Sequence, residues 1–122
     1  MLVMKFGGTS VGDAARMRNV ARLVLAERGR TPVVVVTSAM TKVTDALINL
    51  AQAARDRRSS DVEAILGELR RRHFEAAEAL TDSGSRREAL IGTLRDLLLE
   101  LEQICHGIRL LSDLTPRSLD LV

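Results

Sequence analysis

The residues best suited to chemistry lie near the N-terminus, in the octapeptide Lys5-Phe6-Gly7-Gly8-Thr9-Ser10-Val11-Gly12. The lysine supplies positive charge, the paired glycines let the backbone approach a ligand closely, and the two hydroxyls donate hydrogen bonds. A helix beginning just after this segment would add unpaired N–H groups and the positive end of its dipole. Together these groups favour an anion, and a phosphate above other anions.

The spacing of the octapeptide matches neither of the two common phosphate-binding loops. Gly7 and Gly12 have the G-x-x-x-x-G spacing of a P-loop, but Asp13 and Ala14 stand where lysine and a hydroxyl residue are required. The dinucleotide fingerprint G-x-G-x-x-G is also absent. Spacing alone leaves two interpretations open: a phosphate-binding loop, or a glycine-rich turn that happens to follow an exposed lysine.

The elements that would position this segment form a strand–helix–strand unit. Leu2–Phe6 is predicted as a short strand, and Asp13 as the cap of a helix that ends near Gly29. The β-branched run Val33–Val36 predicts a second strand, and its continuous apolar character is typical of an inner parallel strand covered on both faces. This is a βαβ unit, so the fold class is α/β.

Apolar residues recur at helical spacing through the second half of the chain. They predict a helix from Thr44 to about Arg55, followed by a long helix that Ser59 or Ser60 can cap. A polar turn at residues 82–85 separates that helix from another with a leucine-rich face. Two long helices joined in this way form an antiparallel αα-hairpin.

A further helix is predicted to begin at Thr115, as its cap, and Pro116, at its first position. The chain ends within that apolar segment, and two strands alone do not make a parallel sheet with covered faces. We therefore expect the N-terminal part of a larger domain. Residues 1–55 would be the βαβ part with its loops, and residues 56–114 the helical hairpin.

Composition excludes several classes of function. Two aromatic residues in 122, and 18 Lys and Arg against 16 Asp and Glu, argue against a nucleic-acid binder. A single cysteine, Cys105, excludes an internal disulfide and a Cys-cluster zinc site, and we expect it to be a core residue. With no signal peptide and no apolar run near the ~20 residues of a membrane span, a cytoplasmic protein is expected.

Two segments resemble those of a known family. The octapeptide at residues 5–12 resembles the signature of the aspartate kinases, within the amino-acid kinase superfamily. A second match follows at the right distance: Val34-Val35-Val36-Thr37-Ser38-Ala39-Met40-Thr41-Lys42-Val43-Thr44-Asp45-Ala46-Leu47. Acetylglutamate, carbamate and uridylate kinases share the Lys-x-Gly-Gly start, whereas the Thr-Ser-Val-Gly continuation is more specific to aspartate kinases. Another amino-acid kinase stays open as an alternative.

The resemblance implies the carbamate-kinase-like αβα sandwich of amino-acid kinases and the phosphorylation of the L-aspartate side chain by ATP with Mg²⁺. The product, 4-phospho-L-aspartate, leads to lysine, threonine and methionine. Lys5 would be the catalytic residue, in contact with the transferred phosphoryl group. The implied phosphate-binding residues are Lys5, Gly7, Gly8, Thr9 and Ser10, and the implied aspartate-binding residues are Ser38 and Thr44.

The resemblance also implies what this stretch lacks. The family's adenine-binding segment, later aspartate contacts, much of its magnesium environment and its ACT regulatory domains correspond to sequence beyond Val122. We therefore expect no metal ligand here, and no activity of this chain alone. A non-catalytic helical interaction module is the alternative from another class. In both cases the unpaired edges of two strands predict a homo-oligomer formed by pairing or exchange between chains.

Overall fold

The computed structural model describes the backbone of residues 1–120 and the side chains of residues 1–114. Within them the strands and helices, in chain order, are β1 (Leu2–Phe6), α1 (Ala14–Arg28), β2 (Val33–Thr37), α2 (Val43–Arg55), α3 (Ser59–Leu80) and α4 (Ser85–Asp120). β1 pairs with β2 in parallel, with Leu2 opposite Val33 and Phe6 opposite Thr37. The α/β class and the predicted βαβ unit are confirmed.

Helix α1 begins and ends where its sequence signals place it. The Asp13 carboxylate accepts a hydrogen bond from the Arg16 backbone N–H at 2.9 Å and so caps the first turn. The Gly29 N–H donates to the Leu25 carbonyl at 3.3 Å and closes the last turn. Phe6 of β1 shares a shallow cleft with Val20 of α1, so this helix covers one face of the sheet.

The second strand is not covered on both faces, and that prediction is wrong. Val34, Val35 and Val36 are 43%, 42% and 46% exposed. β2 pairs with β1 alone in the described part of the chain, and α1 lies over only one face of the pair. The valine run has the composition of an inner strand, but composition does not supply the elements that would bury it.

The core of the molecule lies between α2, α3 and α4, which all pack against one another. Leu50 of α2 is 1% exposed at its centre. Its buried members are Met40, Val43, Leu50, Ala54, Leu69, Leu98 and Cys105. The predicted core position of Cys105 is confirmed, and burial, assisted by the nearby Glu102 carboxylate, raises the pKa of its thiol.

Helices α3 and α4 form the predicted antiparallel hairpin. The Arg109 guanidinium, late in α4, donates to the Ser59 hydroxyl at 3.0 Å, at the start of α3. The capping prediction for Ser59 or Ser60 is wrong: Arg58 occupies the N-cap position and makes no side-chain capping bond. Ser59 is already the first helical residue, and its hydroxyl accepts the bond from Arg109 instead.

The helix start predicted at Thr115 and Pro116 is also wrong. Helix α4 is continuous from Ser85 to Asp120 and passes through both positions. Proline has no N–H, so Pro116 cannot donate the helical hydrogen bond to the Ser112 carbonyl. Helix α4 continues without that bond. The capping role assigned to the Thr115 side chain lies outside the described side chains. No helix of the described chain combines the length and apolarity needed to cross a membrane.

We expect Leu50→Ala to lower the free energy of unfolding by about 3 kcal/mol, because it removes buried methyl groups and leaves a cavity. Leu47→Ala is the matched control on the same helix, since Leu47 is 40% exposed, and it should cost less than about 1 kcal/mol. Chemical denaturation followed by circular dichroism measures both. Equal losses in the two variants would contradict the assignment of the core.

A second test concerns the backbone at Lys42, which precedes α2 with φ +67°. A side chain in this left-handed region is strained, whereas glycine is not. We expect Lys42→Gly to stabilise the fold by up to about 1 kcal/mol over Lys42→Ala, which removes the same charge but keeps a Cβ. Thermal unfolding of the two variants measures the difference. A lower midpoint for the glycine variant would contradict this account.

Candidate functional site

Two loops meet at the carboxyl ends of the two strands. We call residues 7–12 the glycine loop and residues 38–42 the β2–α2 loop. Because the strands are parallel, both loops leave the sheet at the same edge. The Ser38 N–H donates to the Phe6 carbonyl at 3.2 Å, which extends the pairing to the point where the loops begin. The sheet therefore places the two matched sequence segments side by side.

The two loops pack closely because two positions carry no side chain. A Cβ at Gly8 would lie 3.2 Å from the Ala39 carbonyl oxygen, and one at Gly12 would lie 2.9 Å from Thr41 Oγ1. Neither glycine has a positive φ, so close approach, not backbone conformation, accounts for glycine at both positions. The glycine loop thus fits directly against the β2–α2 loop.

The backbone of the glycine loop leaves hydrogen-bond donors free. Its Ser10 N–H donates to the Gly7 carbonyl at 3.1 Å, which closes a turn. The N–H groups of Gly7, Gly8 and Thr9 have no acceptor among the described residues. Successive free amides of this kind form a concave donor surface that suits an anion. This is the feature of the structure that most directly supports a phosphate site.

Positive charge lies at the end of β1. Lys5 is exposed, pairs with Val36 across the sheet, and finds no carboxylate partner within residues 1–114. The hydroxyls of Thr9 and Ser10 are likewise exposed, and the described structure offers them no hydrogen-bond partner. All five predicted phosphate-side residues therefore lie on one short segment. The three side-chain donors and the Gly7, Gly8 and Thr9 amides make no internal hydrogen bond among the described residues, whereas the Ser10 amide does.

The N-terminus of α1 contributes less to an anion site than its dipole suggests. The Asp13 carboxylate takes the Arg16 amide as a partner and brings negative charge to the first turn. The Arg16 guanidinium lies 3.9 Å from the same carboxylate and donates at 2.9 Å to the Thr9 carbonyl. Arg16 thereby ties the glycine loop to α1.

The two predicted aspartate-side residues are placed differently. Ser38 lies against the glycine loop, with its Oγ 3.5 Å from the Cβ position of Gly8, and its hydroxyl donates to the Ala39 carbonyl at 2.9 Å. Thr44 lies in the first turn of α2, exposed, and no hydrogen bond of the described chain joins it to either loop. The structure therefore places Ser38 against the glycine loop, whereas Thr44 makes no described hydrogen bond to it.

Sequence reasoning missed Thr41. Its Oγ1 donates to the Gly8 carbonyl at 2.9 Å, across 33 positions of sequence. Threonine is common between a strand and a helix, so its residue type did not indicate a role. Its position inside the second matched segment was the only feature of the sequence that pointed to the site. Arg16 was missed for a similar reason, since arginines recur along the exposed surface of α1.

A neighbouring cleft of about 350 Å³ lies between the start of α1 and α3. Gly12, Asp13 and Arg71 are among its lining residues, whereas Lys5 and Ser38 are not. The Arg71 guanidinium is paired with Glu68 and Glu75, and it holds the pKa of the Glu68 carboxyl below its usual value. Arg71 is therefore neutralised, whereas Arg72, which also lines the cleft, makes no ion pair within the described residues. Lys5, Gly7, Gly8, Thr9 and Ser10 do not line this cleft.

Metal ligands do not cluster in the described residues: nowhere in them do three or more His, Cys, Asp or Glu side chains lie together in a way that could hold an ion.

Comparisons with known proteins agree with the two matched segments. Residues 1–112 match the sequence pattern of the amino acid kinase family. An aspartokinase of Bacillus sp. strain MGA3 is 37% identical over 119 residues, covering 85% of this chain and 29% of that protein. Aspartokinase 2 of Bacillus subtilis is 48% identical over 60 residues, 48% of this chain and 15% of that protein.

A third relative is a chloroplastic bifunctional aspartokinase/homoserine dehydrogenase of Arabidopsis thaliana, 32% identical over 120 residues. That alignment covers 98% of this chain and 13% of the plant protein. The chain therefore spans less than a third of the length of each of these relatives. The resemblance to aspartate kinases is confirmed, and the chain belongs to the amino acid kinase family.

Proposed function

We propose that this stretch is the N-terminal part of an aspartokinase catalytic domain, and that its two loops bind the phosphates of ATP and the acceptor aspartate. One observation carries the proposal: a free lysine and a run of free backbone amides lie at the edge of a parallel sheet, packed against the loop that holds Ser38. The relatives that match this stretch carry the name aspartokinase.

On the phosphate side, the amides of Gly7, Gly8 and Thr9 would bind the terminal phosphate oxygens. Lys5 would contact the phosphoryl group during transfer and stabilise the charge that develops on it. The hydroxyls of Thr9 and Ser10 would add donors beside those amides. A magnesium ion bound with ATP would neutralise further phosphate charge. The free state of these donors supports the assignment, because none must break an internal hydrogen bond to bind.

On the acceptor side, Ser38 and Thr44 would hold aspartate so that a side-chain carboxylate oxygen attacks the γ-phosphorus. The bond from that phosphorus to the β,γ-bridging oxygen breaks, and the products are an acyl phosphate and ADP. The carboxylate is ionised at neutral pH, so no general base is needed. Catalysis then depends on positioning and on electrostatic stabilisation, which the packing of Ser38 against Gly8 favours.

The larger context is proposed on the same grounds. The βαβ unit and its helices would form one end of an αβα sandwich, in which further strands pair with the free edges of the sheet and further helices cover the exposed face of β2. Turnover of aspartate is proposed for the protein that contains the rest of that domain, because the matched relatives are several times longer than this chain. The role in lysine, threonine and methionine synthesis, and the cytoplasmic location, stay predictions.

The test is titration of the 122-residue chain with ATP, followed by calorimetry. Lys5→Ala should weaken binding roughly ten- to a hundredfold, because a charge-assisted hydrogen bond to phosphate contributes about 1.5–3 kcal/mol. Arg28→Ala is the matched control: it removes one positive charge from the last turn of α1, which precedes the start of β2, whereas both loops follow the carboxyl ends of the strands. Its affinity should change by less than about twofold at physiological salt.

Two results would count against the proposal. If the chain does not bind ATP, its loops are not a self-sufficient phosphate site. If Lys5→Ala and Arg28→Ala weaken binding equally, the lysine acts through net charge alone. An assay of ADP formation with aspartate, acetylglutamate, glutamate and UMP as acceptors separates an aspartokinase from another amino-acid kinase, whether in this chain or in the longer protein.

A second role, self-association, is favoured by the exposed apolar side chains. Val3 and Lys5 share the sheet face opposite α1 with Val34 and Val36, and the two valines of β2 are 43% and 46% exposed. We propose that two copies of the chain pair through this face, which would bury the valines of both. Because Lys5 lies on the same face, a dimer formed in this way would cover the phosphate-side lysine, so the dimer and the nucleotide-bound chain would exclude one another.

Sedimentation equilibrium over a concentration series should show a dimer, which Val34→Glu weakens at least tenfold by placing a charge on the contact face. Leu25→Glu is the matched control, because Leu25 is an exposed apolar residue of α1, away from that face. A monomer at every concentration, or equal effects of the two variants, would contradict self-association through the sheet.

A further inference from the structure

One side chain joins the two loops of the candidate site. In the described chain, the hydrogen bond from Thr41 Oγ1 to the Gly8 carbonyl is the only one that links a side chain of the β2–α2 loop to the glycine loop. The same oxygen lies 2.9 Å from the Cβ position of Gly12. Half-buried Thr41 therefore contacts both halves of the glycine loop, near its start and at its end.

The Gly8 carbonyl matters because of what the same peptide unit carries. A trans peptide is planar, and its C=O and N–H groups point in opposite directions. All peptide bonds of the described chain are trans. Fixing the Gly8 oxygen toward Thr41 therefore directs the Thr9 N–H away from the β2–α2 loop. That N–H is one of the three amides without an internal acceptor.

The neighbouring peptide is fixed from the other side. Arg16 donates to the Thr9 carbonyl at 2.9 Å, and the Ser10 N–H of that peptide is held by the Gly7 carbonyl. Thr41 completes this set, because without it the Gly8–Thr9 peptide has no hydrogen bond in the described structure. Peptide orientation in a glycine-containing loop is otherwise weakly determined, since glycine permits a wide range of φ and ψ.

We infer that Thr41 is a positioning residue, which orients the Thr9 N–H toward the phosphates of the nucleotide. Its hydrogen bond also couples the glycine loop to the β2–α2 loop, which carries Ser38. The inference rests on the proposed function and adds to it a residue that touches neither phosphate nor aspartate. Because one hydroxyl spans both loops, occupation of the phosphate site restrains the segment that presents Ser38.

The experiment is an ATP titration of the ¹⁵N-labelled 122-residue chain, followed through the backbone amide signals, with Thr41→Ala and Thr41→Ser. Alanine is preferable to valine, because a methyl group replacing Oγ1 would be forced to about 2.9 Å from the Gly8 oxygen. Thr37→Ala is the matched control: Thr37 lies at the end of β2, and its hydroxyl bonds only to the adjacent Ser38 carbonyl.

We expect Thr41→Ala to weaken ATP binding about tenfold and to abolish the ATP-induced shift of the Thr9 amide, because an oriented donor to a charged oxygen is lost. Thr41→Ser, which keeps the hydroxyl, should restore both to within about twofold, and Thr37→Ala should leave both unchanged. A purely structural role would lower the unfolding temperature of Thr41→Ala while the Thr9 shift persisted.

The outcomes separate this inference from the proposed function. If the unchanged chain binds ATP and Thr41→Ala binds it equally, with the Thr9 shift intact, the role of Thr41 is overturned and the proposed function stands. If no variant, including the unchanged chain, shows ATP-induced shifts at Gly7, Gly8 or Thr9, the proposed function fails and the inference fails with it.

Discussion

The candidate site depends on the parallel pairing of β1 with β2. In an antiparallel pair the segments that follow the two strands would leave from opposite ends of the sheet; in a parallel pair they leave from the same end. The register from Leu2 opposite Val33 to Phe6 opposite Thr37 then sets which residues of the two loops meet. A shift of one position would reverse the faces of β2 and separate Thr41 from the Gly8 carbonyl.

The burial of apolar surface is uneven along the molecule. Helices α2, α3 and α4 bury a shared core around Leu50. In the described part of the chain the two-stranded sheet packs mainly on α1, and three valines of β2 are exposed. The site lies at the boundary between these parts: the glycine loop follows β1, and the β2–α2 loop ends at Val43, which is buried in the helical core. The loop with Ser38 is thus fixed at its far end by the better-packed half.

Much of the fold was predictable from local pattern. The two strands, the Asp13 cap and the antiparallel hairpin depend on neighbouring residues, and the structure confirms them. The predictions that failed depend on surroundings. Val34–Val36 are exposed because few other elements lie beside β2. Helix α4 passes through Pro116 because it begins 31 residues earlier, at Ser85, and does not end before the proline. The cap predicted at Ser59 failed because the helix already begins at that residue, with Arg58 at the N-cap position. The Ser59 hydroxyl accepts a hydrogen bond from Arg109, 50 positions away.

For the site, the sequence by itself determined the chemistry: a lysine, paired glycines and hydroxyls at fixed spacing, which favour a phosphate whatever the fold. It did not determine which groups are free to act. That the Gly7, Gly8 and Thr9 amides lack acceptors among the described residues, that Asp13 offsets the end of α1, and that Thr44 makes no described hydrogen bond to either loop are matters of three-dimensional placement. The covalent structure fixes the type of each residue, and the residue type sets which hydrogen bonds its groups can donate or accept. Whether the group is available, and what it faces, is decided by long-range contacts such as that of Thr41 with Gly8, which only the tertiary structure brings together.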